Sequence, residues 1–429
     1  MERYSEYKDS GVKWLGEIPS HWELLKSKYL WKETFENSTS GKEDLLSVSQ
    51  YTGVTKSKAD SRSESLIGYK IVHKDDLVIN IMLAWLGGLG VSNDEGVVSP
   101  AYCTYKLIRD YNPKFLHYLY KTPMYLAEFA RHSTGVVPSH WRMYTDDFGQ
   151  VVSLLPPVGE QDAIVRYLDA ATSKIDKAIA MQQKMIDLLN ERKQIFIQNA
   201  VTKGLDENVE MKDSNCKFLG KIPSTWEVCK TLYVLSMPIT DGPHTTPQLY
   251  DDGIPFVSAE AVSCGNGYID FSHIRGYISD SFYNECCKKY IPQRDDIYMI
   301  KSGATTGKVA IVNTDVKFTI WSPLAVFRVN KKKVLPYFLY YSLQSSYYQL
   351  QVQDKWSFGT QQNIGMRMLE KLILCYPSIE EQAKIVAFIK KNVDNFDSAI
   401  SYCQRQIVLL QERKQIIINE VITGKVKVS

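Results

Sequence analysis

The sequence has few of the features that mark secreted, membrane or metal-binding proteins. Its first ten residues contain no apolar stretch, so they do not read as a signal peptide, and no apolar run is long enough to span a bilayer. None of the eight cysteines forms a C-x-x-C pair and no histidine cluster accompanies them, which argues against a zinc site. Scattered thiols suit a reducing compartment, so we expect a cytoplasmic protein that binds no metal.

Motifs for catalysis are also missing. No tetrapeptide of the N-P-P-Y or D-P-P-F type is present, nor an H-E-x-x-H motif. Lys301–Lys308 resembles a phosphate-binding loop, but its glycines are one residue too close, and Val309 stands where Ser or Thr would hold magnesium. The β-branched residues on both sides favour a hairpin turn between strands at Ile297–Ile300 and Val309–Val312. We therefore expect that the chain is not itself an enzyme.

The charge balance gives little information about partners. The 429 residues include 51 Lys and Arg against 48 Asp and Glu, a net charge of +3. The length predicts two to three domains, and a hydrophobic content of 44% is ordinary for a globular protein. A DNA-binding protein can place its cations locally on a near-neutral chain, so the balance neither supports nor excludes nucleic acid.

Two pairs of segments repeat along the chain. Lys8–Glu23 is matched at most positions by Lys212–Glu227, and Glu160–Thr202 by Glu381–Thr423. Between these anchors lie two variable segments that share only a weaker skeleton. Repeats at fixed spacing indicate a duplicated unit. Each half is therefore predicted to be a variable globular domain followed by a helix.

The longer repeats are predicted to be helices of about 40 residues, on the order of 60 Å long. Apolar residues alternate by three and four along both, which is typical of a coiled-coil seam. Ser378 and Glu381 fit a capping box, and Gly204 and Gly424 follow the helix ends. Because a lone helix cannot cover such a seam, we predict an antiparallel pair with a domain at each end. Two ordinary bundle helices are the alternative.

This layout resembles that of the specificity subunits of Type I restriction-modification systems. One motif that carries the resemblance is the entry segment D-S-G-x-x-W-L-G-x-I-P-x-H-W at Asp9–Trp22. Another is P-x-x-E-Q at a helix start, in Pro157–Gln161 and, with one extra residue, in Pro377–Gln382. The third is E-R-K-Q-I late in each helix, at Glu191–Ile195 and Glu412–Ile416. The resemblance covers essentially the whole chain.

The resemblance implies an α+β fold. It consists of two α/β target-recognition domains separated by two long antiparallel coiled-coil helices, in a pseudo-twofold internal repeat. Residues 1–157 would form the N-terminal segment and first recognition domain, and residues 158–204 the central helix. Residues 205–377 would form a linker and the second recognition domain, and residues 378–429 the C-terminal helix.

The resemblance also implies a function and partners. Such a subunit reads a bipartite site in double-stranded DNA, one half per recognition domain. Two modification subunits would bind its helices and methylate adenine at N6. Two restriction subunits can join such an assembly. S-adenosylmethionine, ATP and magnesium would be bound by these partners and no cofactor by this chain. No membrane is expected.

Loops of the variable segments carry the candidate DNA contacts. Arg pairs with guanine, Asn and Gln pair with adenine, and cations contact phosphate. The candidates are His140, Trp141 and Arg142 in the first domain and His244, Thr305, Thr306, Lys308, Lys355, Thr360, Gln361, Gln362, Asn363 and Arg367 in the second. Plain surface loops are the alternative for these clusters, and a hydrogen-bonded structural role is the alternative for His244.

Three tryptophans are predicted to pack rather than to bind. Trp22 and Trp226 recur in the two entry segments and are expected to be packing anchors. For Trp85, a place in the core is favoured over base stacking.

Two charged clusters on the helices are candidate contacts to other subunits. They are Glu191, Arg192 and Lys193 in the first helix and Glu412, Arg413 and Lys414 in the second. A solvated helix face is the alternative. Two other functions stay open for the whole chain: a two-domain enzyme with an unrecognised site, and a coiled-coil scaffold whose domains bind other proteins.

Overall fold

The computed structural model of the chain describes residues 2–57, 65–137, 140–358 and 362–428. It divides into two units. Unit 1 comprises Met1–Gln183 and Arg405–Ser429, and unit 2 comprises Lys184–Gln404. Both divisions fall inside the long helices, so each unit contains one part of each helix.

Unit 1 is built on a four-stranded antiparallel sheet. The strands of unit 1 are β1 Tyr7–Asp9, β2 Glu17–Pro19, β3 Glu23–Lys26, β4 Trp31–Thr34, β5 Leu46–Ser49, β6 Gly53–Lys56, β7 Lys70–Val72, β8 Leu77–Asn80, β9 Leu89–Val91, β10 Gly96–Val98, β11 Tyr102–Leu107 and β12 Val152–Leu155. The sheet has the order β4-β11-β8-β9, and the other strands form antiparallel pairs. Strand β8 lies inside the sheet and is buried along its whole length, as its apolar sequence predicts.

Three helices and one long helix complete the first part of the chain. They are α1 Pro113–Tyr120, α2 Pro123–His132, α3 Thr145–Gln150 and α4 Val158–Lys203. Helices α1 and α2 both begin at proline, which suits the first helical turn because its N–H groups have no partner there. Their aromatic residues pack in the core of unit 1 with Trp22, and Val421 and Ile422 from the end of the chain join the same core.

Unit 2 has a second four-stranded antiparallel sheet and a smaller mixed one. Its strands are β13 Met211–Asp213, β14 Lys221–Pro223, β15 Glu227–Lys230, β16 Thr240–Asp241, β17 Ile254–Val257, β18 Tyr277–Ile278, β19 Ile297–Ile300, β20 Val309–Ile311, β21 Thr319–Ile320, β22 Leu324–Phe327, β23 Ser357–Phe358, β24 Gln362–Asn363 and β25 Ile373–Tyr376. The larger sheet has the order β16-β22-β19-β20, and β17 pairs parallel with β21. The sheets of unit 2 are therefore antiparallel or mixed.

The helices of unit 2 include the second long helix of the chain. They are α5 Ala259–Cys264, α6 Asp280–Cys287, α7 Pro336–Gln344, α8 Ser346–Asp354, α9 Met366–Leu369 and α10 Ile379–Ile422. Half of the predicted capping box is present: the Glu381 amide donates to Ser378 Oγ at 3.3 Å, whereas the Glu381 carboxylate accepts the indole N–H of Trp226. Gly204 and Gly424 follow the two long helices with positive φ of 76° and 74°, a conformation that glycine adopts without a steric penalty.

Segments of α4 and α10 pack antiparallel within each unit. In unit 1, Lys414 Nζ lies 2.7 Å from Asp176 Oδ1, while Val421 packs in one cluster with Leu168. In unit 2, Lys193 Nζ lies 2.6 Å from Asp397 Oδ1, and the rings of Phe196 and Phe388 are 5.2 Å apart. In both units, later residues of one helix meet earlier residues of the other. The pair of long helices is thus consistent with the predicted coiled coil.

The P-x-x-E-Q motif joins each long helix to the unit in which it begins. Glu160 accepts the indole N–H of Trp22 at 3.2 Å, and Glu381 accepts that of Trp226 at 3.1 Å. Both tryptophans are buried, which confirms that they are packing anchors. The fully buried Gln161 accepts the Asn112 amide and donates to Pro156 O. Gln382 is also fully buried, accepting the Leu335 amide and donating to Pro377 O. The motif therefore fixes how each helix leaves its sheet-containing part.

Candidate nucleic-acid interface

Two loops meet at one end of the unit 1 sheet. The first, residues 81–88, turns from β8 to β9; the second, residues 133–143, joins α2 to α3, with 138 and 139 outside the described residues. The Met143 amide donates to Ile81 O at 3.0 Å. Thr134 and Arg142 form a two-way backbone bridge of 2.9 Å. We call residues 81–88 and 133–143 the first loop pair.

An aromatic contact and a lysine hold the first loop pair in place. The rings of Trp85 and Trp141 meet edge to face at 5.2 Å, and the Trp85 indole N–H donates to Met82 O. Trp85 is half-buried at this surface, which corrects the prediction that it lies in the core. Lys121 Nζ donates to Gly87 O at 2.7 Å and to Gln50 O at 2.9 Å, and burial lowers the pKa of Lys121 to about 8.

The outer surface of the first loop pair is apolar with basic neighbours. Val136 is 98% exposed, and Leu83 and Leu86 are also exposed. Of the three candidates here, His140 is exposed, while Trp141 and Arg142 are half-buried. One guanidinium nitrogen of Arg142, Nη1, donates to Trp141 O at 2.8 Å. The surface can therefore offer apolar contact and a few hydrogen-bond donors.

In unit 2, a second pair of segments meets at the turn between β19 and β20. The Ile364 amide donates to Lys301 O at 2.9 Å, and the Gly303 amide donates to Gln362 O at 3.0 Å. Residues 301–308 and the described residues 362–364 form what we call the second loop pair. Because β19 and β20 are antiparallel neighbours, Lys301–Lys308 is a hairpin turn, as predicted, and not a strand-to-helix phosphate loop.

The side chains of the second loop pair are mostly polar. Thr305 is half-buried and Lys308 is exposed, with its Nζ 3.5 Å from Ser263 O. The Thr306 hydroxyl donates to Gly303 O at 2.7 Å, so it shapes the turn. Gln362 is half-buried and Asn363 is exposed. Thr360 and Gln361, also predicted as DNA contacts, lie outside the described residues.

A buried carboxylate places a third segment beside the second loop pair. Asp241 is 1% exposed, and its Oδ2 lies 3.1 Å from His244 Nε2 and 3.4 Å from Lys301 Nζ. Lys289 donates to its other oxygen. Burial alone would raise the pKa of Asp241, but the hydrogen bond from Lys289 and the charges of Lys289, Lys301 and His244 lower it on balance. The predicted candidate His244 is therefore held near Lys301 through Asp241.

The remaining candidates lie outside these contacts. Lys355 is exposed and pairs with the neighbouring Asp354 at 2.9 Å, and Arg367 is exposed on α9. On the long helices, Glu191, Arg192, Glu412 and Arg413 are exposed. Lys193 and Lys414 instead form the ion pairs between α4 and α10 described above. Those two lysines therefore contact the neighbouring long helix, alongside the apolar contacts between α4 and α10.

Two positioning residues were not predicted. Asp241 stands directly before the Gly-Pro turn that flanks His244, and this position is the one sequence signal that pointed to it. Lys121 follows a helix and has no sequence signal, because its acceptors are carbonyl groups of residues far along the chain. Among the described residues, no group of three or more His, Cys, Asp or Glu side chains could hold a metal ion. No helix in the described part of the chain is long and apolar enough to cross a bilayer.

The fold and these loops define a protein of two sheet-containing units that share a pair of long helices and present variable loops at the sheet ends. Residues 245–407 match the family model described as Type I restriction modification DNA specificity domain. A Methanocaldococcus jannaschii protein with the provisional name type I restriction enzyme MjaX specificity subunit is 24% identical over 96% of both chains. The EcoBI specificity subunit of Escherichia coli is 22% identical over 82% of this chain and 74% of its own length.

A solved structure has a similar fold. It comes from work on complex assembly and conformational transition of the type I R-M system, with a TM-score of 0.67 at 16% identity. The alignment covers 95% of this chain and 99% of that one. The chain is thus similar to the specificity subunits of Type I restriction-modification systems, in one case over nearly its whole length.

Proposed function

We propose that this specificity subunit reads a two-part site in duplex DNA, with the first loop pair on one half and the second loop pair on the other. The observation that carries the proposal is a shared backbone contact. In unit 1, Ile81 directly follows strand β8, and its carbonyl accepts the Met143 amide from the loop before α3. In unit 2, Lys301 directly follows strand β19, and its carbonyl accepts the Ile364 amide from the segment before α9. The same frame thus carries different side chains, as two different half-sites require.

The side chains of the second loop pair suit hydrogen bonding to base edges. Gln362 and Asn363 carry amides, the groups that pair with adenine N6 and N7. Lys308, Lys355 and Arg367 are exposed cations that would contact phosphate. In the first loop pair, Arg142 and His140 are the corresponding donors. Neither loop pair contains an acidic residue, so both suit the negative field of DNA.

We also propose that the two units are copies of one module. Strands β1 and β2 pair over three residues each, as do β13 and β14. The four-stranded sheets of both units are antiparallel with the hairpin strand at one edge. Repetition of the module would give the subunit the internal symmetry that the resemblance implies.

The catalytic steps belong to partners in this proposal. The subunit directs adenine-N6 methylation by two modification subunits and cleavage by two restriction subunits where the system has them. S-adenosylmethionine, ATP and magnesium would be bound by those partners. The exposed polar side chains of the loop pairs serve binding and orientation.

Exposed apolar side chains on the long helices are the proposed docking surfaces for the modification subunits. In unit 2, Leu188 and Ile195 of α4 are exposed beside Glu191 and Arg192. In unit 1, Leu409 and Ile416 of α10 are exposed beside Glu412 and Arg413. Both pairs are spaced by seven residues, so each lies on one face of its helix. Two equivalent surfaces would accept one helical segment from each of two modification subunits.

Docking can be tested on one surface at a time. The double substitution Leu188→Lys and Ile195→Lys should reduce the bound modification subunits from two to one, as counted by native mass spectrometry of the complex. Val316→Lys, at an exposed site on a loop of unit 2, is the matched control and should keep two. Retention of both subunits by the double variant would contradict the assignment.

The function itself is tested by mapping N6-methyladenine across the host genome with and without this gene. Loss of methylation at one two-part motif is expected on deletion. The purified complex with its modification subunits should bind that motif in preference to a scrambled duplex, with steep salt dependence. If the chain were a scaffold that binds only proteins, its deletion would leave the methylation map unchanged, and the purified complex would not prefer the motif over the scrambled duplex.

A further inference from the structure

The two loop pairs differ in the chemistry they present. The first exposes Leu83, Leu86 and Val136, while the second exposes Lys308 and Asn363. Hydrogen bonds distinguish base pairs by donors and acceptors, whereas apolar side chains distinguish thymine by its 5-methyl group. An apolar reading surface therefore has a specific counterpart in the major groove.

From this contrast we infer that the first loop pair recognises its half-site through the 5-methyl groups of thymine. The inference rests on the proposed function and names the chemical group that unit 1 reads. Val136 is 98% exposed, so its two methyl groups are available for contact. Leu83 and Leu86, in the other loop of the pair, are 41% and 40% exposed and are available as well.

The surface is held in place before any ligand binds. Trp85 packs edge-on against Trp141, and the Met143 amide is bonded to Ile81 O. Lys121 fixes the turn through Gly87 O. A preformed surface loses less conformational entropy on binding than a mobile loop, which favours contacts as weak as those between methyl groups.

Charge favours DNA over a protein as the occupant of this surface. Residues 81–88 and 133–143 contain no Asp or Glu, and they contain His140 and Arg142. Arg131 lies just before residue 133 with its side chain 65% exposed, although it is paired with Glu128. Basic residues around an apolar centre match thymine methyl groups between two rows of phosphates.

The test uses the complex with its modification subunits and duplexes that carry its mapped motif. Each thymine is replaced in turn by deoxyuridine, which removes only the 5-methyl group. Every half-site that contains a target adenine has a thymine opposite it, so both halves can be tested. We expect about fourfold weaker binding for each contacted methyl in one half-site, and no change in the other.

The substitution Val136→Thr assigns that half-site to unit 1. It keeps the shape of the side chain, replaces one methyl by a hydroxyl at a fully exposed position, and should leave folding intact. In this variant the deoxyuridine penalty should shrink, which isolates the contact as a double-mutant cycle does. Ile108→Thr is the control, because Ile108 is exposed next to the opposite end of strand β11.

Three outcomes would overturn the inference. They are equal affinity for thymine and deoxyuridine throughout both half-sites, a penalty that Val136→Thr leaves unchanged, and loss of a modification subunit from the Val136→Thr complex with normal DNA discrimination. Failure of the complex to prefer its motif over a scrambled duplex would instead contradict the proposed function.

Discussion

The two loop pairs share a backbone frame and differ in almost every exposed side chain. In the first, a ring contact and a lysine bound to carbonyl groups support an apolar surface. In the second, hydrogen bonds within the hairpin and a buried carboxylate support a polar one. The backbone frame and its supports are therefore independent of the side chains that would read DNA. The first three predictions below each disturb one unit, so that the other unit serves as the reference. The fourth compares equivalent ion pairs in the two units.

The largest effect is expected from Asp241→Asn in unit 2. The change leaves Lys301, whose side chain is 13% exposed, beside a site that has lost its negative charge, and removing one partner of a buried ion pair costs about 3 kcal/mol. Hydrogen exchange should accelerate in β19 and β20 and stay unchanged in β8 and β9. Asp315→Asn, which removes an exposed partner of Arg294, is the control and should have little effect. Equal exchange in both variants would contradict the role of Asp241.

Acidification should weaken unit 1 before unit 2. Burial, with the charges of Lys121 and Lys114, lowers the pKa of His117 to about 4, below its ordinary value near 6.5. The stability that the neutral ring contributes is complete above about pH 6.5 and is lost as the pH falls towards 4. At pH 5 the loss is about 2 kcal/mol. The two histidines of unit 2, His244 and His273, are exposed.

Hydrogen exchange at pH values from 7 to 5, corrected for intrinsic rates, measures this difference. Protection should fall in β9, where the Val91 amide donates to His117 Nδ1, and persist in β19. His117→Gln keeps an acceptor and should remove the pH dependence. A fall of equal size in both units would contradict the assignment to His117.

Lys121→Met should weaken binding of the unit 1 half-site about fivefold. The substitution keeps most of the length of the side chain and removes the donor to Gly87 O, the acceptor that lies in the first loop pair, a hydrogen bond worth about 1 kcal/mol. Competition between duplexes altered in one half-site or the other measures the effect on each unit. Lys74→Met, at an exposed lysine of the same unit, should change neither. A loss shared by both half-sites would show that Lys121 acts on the whole fold.

The smallest effects are expected from the helix ion pairs, and they should be equal in the two units. Both Lys193–Asp397 and Lys414–Asp176 are partly exposed, so a double-mutant cycle to alanine should give about 0.5 kcal/mol for each. Urea unfolding of the single and double variants measures the two values. A coupling several times larger in one unit would indicate that the pairs are not equivalent.

The long helices and their joints could be predicted from the sequence because the signals are local. The seam, the cap at Ser378 and the glycines at 204 and 424 act within a few residues of where they stand, and the structure has α4 and α10 close to the expected bounds. The hairpin at Lys301–Lys308 was predictable for the same reason. Alternating or continuous apolar runs and turn residues define a hairpin without long-range contacts.

The supports of the loop pairs could not be predicted, because they depend on residues far apart in sequence. Trp85 was expected in the core on its size and apolar neighbours, yet Trp141 covers only one side of it at the surface. Asp241 meets Lys289 and Lys301 only after three strands have assembled. The family resemblance supplied the function, and the sheet topology supplied the position of the candidate residues.

The most direct test of the central claim is a genome-wide map of N6-methyladenine in cells whose only copy of this chain carries Gln362→Ala and Asn363→Ala. If each loop pair reads its own half-site, one half of the methylated motif should become degenerate while the other half and the spacing stay unchanged. Equal relaxation of both halves, or a motif identical to that of the unaltered chain, would contradict the account.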